Sequence, residues 1–245
     1  MAIDQQSFVG ALTKVFGENK LGGLLSREKA DKFYRLTVRM LEENEKYNLT
    51  AITEVNKIIL NHYADCATLA ARLPKGIRIA DIGCGAGFPT LPLAILREDL
   101  LITAIDSTAK RIAYVEQTAS MLGLTNVTAV TMRAEDGAQK PEYREKFDVV
   151  TARAVAEMRV LTELCLGYVK VGGKFIAMKG KNAEFELNSA KRAIALMGGR
   201  GAVCEEISLK GAGEVLTHPL IVIDKKEKTP ANYPRVFAQI SKKPL

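Results

Sequence analysis

Gly83, Gly85 and Gly87 stand on alternate positions after a short apolar run, Ile77 to Ile82, and are followed by Phe88-Pro89. Glycines so spaced permit a tight turn and let backbone N–H groups approach a ligand closely. Pro89 and Pro92 fall where the first turn of a helix is expected. A missing N–H costs little there, because first-turn donors have no intrahelical acceptor. Strand, glycine loop and helix together describe a nucleotide site in an α/β sheet. Asp106 lies about 20 residues further on, ending the next apolar run (Leu100 to Ile105), where a carboxylate can accept both hydroxyls of a ribose. Asp81 sits inside the motif, two positions before the first glycine. A glycine-rich turn without a ligand is the alternative; loop and Asp106 together favour the site.

The spacing also says which nucleotide. A dinucleotide fingerprint runs G-x-G-x-x-G and seats a pyrophosphate on the helix N-terminus. Here it is G-x-G-x-G, with Phe88 where the last glycine would be. That pattern resembles motif I of the class I S-adenosylmethionine methyltransferases, whose ligand has no phosphate and carries a cationic amino group that suits a nearby acid. Ligands of such sheets lie at the carboxyl ends of the strands. Ala134 and Glu135, just past the strand Val127 to Thr131, are thus placed to meet the adenine, a backbone N–H and an acid respectively. Arg133 follows the same strand, Arg153 follows Phe147 to Thr151, and Lys179 follows Lys174 to Met178. Singly, each reads as a solvated charge; at three successive strand ends they read as a site for anions.

The elements that must position these residues are legible as periodicity. Residues 1 to 73 read as helices: Phe8, Val9, Leu12 and Phe16 on one face, then Ala30, Phe33, Tyr34, Val38 and Leu41 after a Ser26 cap, then Val55 to Leu73. His62 on the third stripe reads as a hydrogen-bonded packing residue before a catalytic one. Tyr47-Asn48-Leu49-Thr50 breaks the periodicity, with Asn48 as a turn or capping residue. From residue 77 strands and helices alternate, as in a doubly wound sheet. Ser107 is expected to cap a helix that ends at Gly123, and Gly198-Gly199 to stop another. Ala202 to Leu209 and Leu220 to Ile223 read as a closing antiparallel hairpin across a glycine-rich loop. The tail, with Lys225, Lys226, Lys228, Arg235, Lys242 and Lys243 and three prolines, is expected to be extended, contacting phosphate or simply keeping the chain soluble.

At 245 residues and 47% hydrophobic, the chain can bury a full core. No run is long and apolar enough to span a bilayer, and the first residues lack a secretion signal. Cys66, Cys84, Cys165 and Cys204 are isolated, and with only His62 and His218 beside them neither a zinc site nor a disulfide framework is supported. A reduced, cytoplasmic chain is expected. A net charge of +7 points to an acidic partner, nucleic acid or small anions.

Methyl transfer from a sulfonium needs an aligned nucleophile and, for some acceptors, a base. Thr151-Ala152-Arg153-Ala154 is not the Asn/Asp-Pro-Pro-aromatic loop that accompanies exocyclic amines, and no cysteine stands there for attack on pyrimidine carbon-5. A guanine N7 needs neither device.

Over essentially its whole length the chain resembles the bacterial small-subunit ribosomal RNA methyltransferase G family, also called glucose-inhibited division protein B. Tyr47-Asn48-Leu49-Thr50, Asp81 to Pro89, Asp106-Ser107 with Lys110-Arg111, Arg133-Ala134-Glu135, Ala152-Arg153-Ala154, Lys179-Gly180 and Tyr233-Pro234-Arg235 carry the resemblance. It implies N7 methylation of one guanosine, number 527, in the 530 loop of 16S ribosomal RNA, with S-adenosylmethionine as cofactor. It implies that Gly83, Phe88, Ala134, Glu135 and Arg153 contact the cofactor, beside Asp81, Gly85, Gly87 and Asp106 of the motif. Arg133, Lys179 and Asn48 would line the RNA side, positioning substrate without a general base. The chain departs from the family pattern at Cys84, Thr90 and Cys66, and its Val236 to Ile240 stands where a basic Gly-Thr-Pro tail is usual. The fold expected is α/β: a Rossmann-like, mostly parallel seven-stranded sheet. Residues 1–73 would be a helical extension, 74–226 the methyltransferase domain and 227–245 the tail. The partner expected is 16S ribosomal RNA or the small subunit, met by a monomer without metal or membrane. Two other readings stay open: a methyltransferase of small molecules or proteins, and an RNA-associated cofactor-binding module without turnover.

Overall fold

The computed structural model describes residues 3–245; Met1, Ala2 and the side chain of Tyr47 in the Tyr47–Thr50 motif lie outside the described residues. Helices come first. In α1 (Gln5–Glu18), Asp4 caps by accepting from Ser7 N, and Phe8, Leu12, Val15 and Phe16 form the buried stripe. Ser26 caps α2 (Arg27–Tyr47) by accepting from Lys29 N, and Asn48 ends it in the left-handed conformation, φ 48°. An asparagine tolerates that conformation better than a branched residue does. The third stripe is not a uniform α-helix. It runs through α3 (Val55–Ile58), a π-helical stretch (Ile59–Ala64) and α4 (Asp65–Ala70).

The sheet then builds outward from its first strand. β1 (Arg78–Ile82), α5 (Thr90–Leu96), β2 (Leu101–Asp106), α6 (Ala109–Met121), β3 (Val127–Thr131), α7 (Ala134–Gly137), β4 (Phe147–Arg153), α8 (Met158–Leu166) and β5 (Val169–Met178) alternate, the strands all parallel. After α9 (Ala183–Leu196) come β6 (Gly199–Gly211) and β7 (Glu214–Lys225), with β7 antiparallel to both β5 and β6. The strand order is β3-β2-β1-β4-β5-β7-β6. The order reverses between β1 and β4, and the crevice beyond their carboxyl ends is where such sheets receive a ligand.

Strand residues alternate between faces. Ile79, Val149 and Ile176 pack with the N-terminal helices, α5 and α6 on one face; Ala80, Ile82, Val150 and Ala152 pack with α8 and α9 on the other. By the same alternation, and with Asp81 in register with Thr151, the polar trio Asp81, Thr151 and Arg153 falls on the face that the N-terminal helices cover. Buried sheet positions are here left polar deliberately close to the strand ends.

The expected closing hairpin is present and longer than its sequence signal. Ala212 and Gly213, both at positive φ (51° and 80°), make the two-residue turn that suits the twist of a hairpin. Strand pairing therefore runs on to Gly211↔Glu214. The tip is held by α1: the Asn19 amide donates to Lys210 O at 2.7 Å and its carbonyl accepts from Lys210 N at 2.8 Å.

Three local expectations are corrected. Pro89 is the N-cap of α5, one residue short of the helix, so only Pro92 lies in the first turn. Thr108, not Ser107, precedes α6, because its N–H turns back to Asp106 Oδ1 at 2.8 Å. The tail is not an extended, solvated arm. Arg144 donates to Thr229 O (2.9 Å) and Tyr233 O (2.8 Å), and Arg235 pairs with the buried Glu163. A last helix, α10 (Phe237–Lys242), seats Ile240 in the core. Even Lys225 is fully buried, its Nζ donating to Leu166 O at 2.7 Å and Met197 O at 3.0 Å, and burial pushes its pKa down to about 8.

Candidate functional site: a cleft and a buried polar network

A cleft opens at the carboxyl ends of β1 to β4, lined by Gly83, Asp106, Ser107, Arg111, Met132, Ala134, Glu135, Val155 and Phe237 among others. Asp106 is its best-positioned acid. Its Oδ2 accepts from Gly85 N at 3.1 Å and its Oδ1 from Thr108 N at 2.8 Å, with Arg111 Nη1 3.7 Å from Oδ2. The glycine loop thus fixes the carboxylate, while each oxygen keeps a second acceptor site. A vicinal diol is the ligand group that two adjacent acceptors fit.

The glycines do different things. Gly83 (φ 71°) lines the cleft, and a Cβ there would stand 2.6 Å from Val155 Cγ2. Gly87 (φ 84°) lets Leu91 of α5 pack onto the loop, since a Cβ would meet Leu91 Cδ1 at 2.6 Å. Ala134 opens α7, where the first N–H groups have no intrahelical acceptor, and its carbonyl accepts from Tyr168 Oη at 2.7 Å. Glu135 is buried and accepts from Arg133 Nε at 3.0 Å.

Beside the cleft, on the helix-covered face, lies a buried polar network. Asp81 Oδ2 accepts from Thr90 Oγ1 at 2.6 Å and Thr90 N at 3.3 Å; its Oδ1 has no hydrogen-bond partner among the described residues. Burial pushes the carboxyl up to about 6, against the lowering effect of Thr90 and Arg153. Arg153 packs over the Phe88 ring, 5.1 Å from its centroid, and reaches His62 Nδ1 and Asn61 O at 3.3 Å and Asp65 Oδ2 at 3.4 Å. His62 Nδ1 stands between the Arg153 guanidinium, a donor, and Asn61 O, an acceptor 3.1 Å away, while Nε2 lies 3.2 Å from Thr50 Oγ1. Burial, and then the Arg153 charge, push His62 down to about 4, so the ring is neutral near pH 7. The ring stacks on Phe88 at 4.5 Å. Asp65 Oδ1 lies 2.8 Å from His218 Nε2. π-Helical turns recur at functional sites, and here one carries His62 and delivers Asp65 at its end.

Sequence-predicted residues therefore separate into groups. Gly83, Asp106, Arg133, Ala134 and Glu135 line the cleft. Gly85 and Gly87 shape the loop behind it, and Asp81, Phe88 and Arg153 belong to the adjoining network. Lys179 is in neither: Nζ donates to Ala156 O at 2.9 Å and pairs with Glu186 Oε2 at 2.6 Å. Glu186 also accepts from Met158 N at 3.0 Å, so the Lys179–Glu186 pair holds the segment 154–158 that follows β4 and covers Gly83. Asn48 is exposed at the end of α2, two residues from the Thr50 that bonds His62. Arg153 and Lys179 are not solvated charges: both side chains are largely covered and paired with carboxylates. His62 is buried and hydrogen-bonded, as its place on an apolar stripe suggests. Asp65, Glu186, Val155, His218 and Phe237 went unread. Only Asp65 had a local signal, three residues after His62 on the same helical face.

The geometry of the cleft accommodates the ribose of S-adenosylmethionine, for which Asp106 offers free acceptor sites, while the partnerless Asp81 oxygen lies buried beside the cleft. The comparisons agree with that cofactor class. The model of the family described as rRNA small subunit methyltransferase G matches residues 28–210. Ribosomal RNA small subunit methyltransferase G of Clostridium perfringens is 45% identical over 229 residues, covering 93% of this chain and 95% of that protein. The protein of the same name from Lactobacillus delbrueckii subsp. bulgaricus is 44% identical over 225 residues, 90% of this chain and 93% of its own. Among solved structures, an S-adenosylmethionine-dependent O-methyltransferase from Thermotoga maritima superposes with a TM-score of 0.52 at 15% identity, over 78% of this chain and 72% of that one, a likeness of fold alone.

Proposed function

The chain belongs to the rRNA small subunit methyltransferase G family, and on that premise we propose that it methylates N7 of a single guanosine in the 530 loop of 16S ribosomal RNA. The cofactor is S-adenosylmethionine. When bound, it would supply an electrophilic methyl on a sulfonium, and a guanine N7, with a free lone pair and no proton to lose, would need no base from the protein.

The observation that carries the reading is what stands at the end of β4. The segment after Arg153 brings neither an amide-type loop nor a thiol to the cleft. Cys66, Cys84 and Cys165 are buried, and burial raises each thiol well above its ordinary range, so none supplies a thiolate near neutral pH. His62 has both ring nitrogens engaged by Arg153 and Thr50. An acceptor that is already a free nucleophile suits such a site. In this reading Asp106 holds the ribose hydroxyls, the free Asp81 oxygen takes the α-ammonium, and Ala134 with Glu135 flanks the adenine. Arg153 sets the reacting end from below, and Lys179 acts by fixing the covering segment 154–158. The net charge of +7 suits a phosphate-rich partner.

The test is labelled methyl transfer to small subunits from a strain lacking this gene, with the product nucleotide mapped. One labelled N7-guanosine in the 530 loop is expected. Label in peptide or metabolite pools without an RNA requirement would replace the reading with another substrate class. Salt-sensitive RNA binding without transfer would leave a cofactor-binding module.

A further inference from the structure

Phe237 lines the same cleft as Asp106, Ala134 and Glu135, although it lies about 100 residues beyond the last of them in sequence. Its ring sits under the Arg133 guanidinium, 4.6 Å from carbon to centroid, and that guanidinium is held in turn by Glu135. The position of the ring is imposed from both sides. Two residues earlier, Arg235 gives Glu163 three hydrogen bonds: N and Nε to Oε1 at 2.9 Å each, and Nη2 to Oε2 at 2.6 Å. Three residues later, Ile240 is fully buried in the core. Beyond it, Arg159 Nε donates to Leu245 O at 2.6 Å and Arg159 also binds Pro244 O. Phe237 itself stays 39% exposed. An aromatic ring held rigidly at a cleft, yet not itself buried, has a free face that an apolar, planar ligand group can cover.

From this placement we propose that Phe237 is a cofactor-binding residue whose ring forms the aromatic wall for the adenine of S-adenosylmethionine. The tail is then part of the cofactor site and not an RNA-binding arm. The inference rests on the reading that Asp106, Ala134 and Glu135 hold the adenosine half. The Arg133–Phe237 stack joins the two: Arg133 links the acid beside the adenine to the ring that covers it, so one guanidinium fixes both. Stacking of a base on an aromatic side chain is worth enough that its removal is expected to weaken binding by about tenfold or more.

The test is calorimetric titration of the full chain with S-adenosylhomocysteine, comparing wild type, Phe237→Ala, Phe237→Tyr and Asp106→Ala. Phe237→Ala is expected to bind about tenfold more weakly with an unchanged melting temperature, and Phe237→Tyr to restore affinity. A rescue that follows the aromatic ring, at constant stability, separates stacking from a packing role. If Phe237→Ala binds as tightly as wild type, the inference is overturned. That would be the outcome for a ring that serves an RNA base instead. Should Asp106→Ala then be weakened alone, the cleft reading stands without Phe237; should neither change, the cleft reading falls as well.

Discussion

Replacing Asp81 by asparagine should move stability and cofactor affinity in opposite directions. Asp81 is fully buried, one oxygen held by Thr90 and the other without a partner among the described residues. Its carboxyl is pushed up by burial to about 6, from an ordinary 3.8. The native state therefore binds more protons than the unfolded state between those values, and stability falls as pH rises through 6. Converted at about 1.4 kcal/mol per unit, the ionised group costs the fold roughly 3 kcal/mol at most above pH 7. Part of that cost is already present at pH 5, leaving about 1 kcal/mol to appear between pH 5 and pH 7.5. An asparagine keeps the Thr90 hydrogen bonds and does not ionise. Urea unfolding of the two proteins without cofactor should therefore show a gap in favour of Asp81→Asn that widens by about 1 kcal/mol over that range. Any fixed effect of the amide cancels in the difference. In the same variant, an amide NH2 would face the cofactor's ammonium, and S-adenosylhomocysteine should bind at least tenfold more weakly. A stability gap independent of pH would refute the buried-charge argument. Undiminished affinity would refute the ammonium assignment.

Asp106→Ala should cut cofactor affinity by about tenfold or more while leaving the fold intact, and equal affinity by calorimetry would remove Asp106 from the ribose contact. Arg153→Ala should abolish methyl transfer in a chain that still melts cooperatively; near-normal turnover would return Arg153 to a packing role on Phe88. Lys179→Met should release Ala156 O and leave Glu186 unpaired, so limited proteolysis within 154–158 should quicken and turnover fall. Unchanged cleavage there would mean that the segment is held by other contacts.

What the sequence disclosed follows the range of the interactions concerned. The strands and the glycine loop are local: apolar runs of five or six residues bounded by Gly, Asp and Pro declare themselves. So do the Ser26 cap and the break in periodicity at Asn48. Helix α8 escaped notice because it is buried on nearly every side; its one acid, Glu163, is matched to Arg235 across 72 positions. The tail was misread for the same reason. Its lysines and arginines look solvated by composition, but the partners of Lys225 and Arg235 are carbonyls and a carboxylate from α8 and the end of α9. Lys179 showed its place at a strand end but not Glu186, which takes its charge. Asp81 and Arg153 are an intermediate case. The strand alternation and the parallel register put them on one face, and only the topology says that β1 and β4 are neighbours.

The network around Arg153 bears on how this architecture can be altered. His62 and Asp65 come from the N-terminal helices, Arg153 and Asp81 from the sheet, Phe88 from the loop and His218 from the closing hairpin. A sequence boundary near residue 73 therefore cuts through a set of charges that must agree with one another. Transplanting the helical segment onto another methyltransferase sheet would carry His62 and Asp65 away from their cation and leave Asp65 a buried charge without a counterpart. A graft that succeeds must move the strand-end arginine along with the helices, which makes the polar network, and not the chain boundary, the natural unit of exchange.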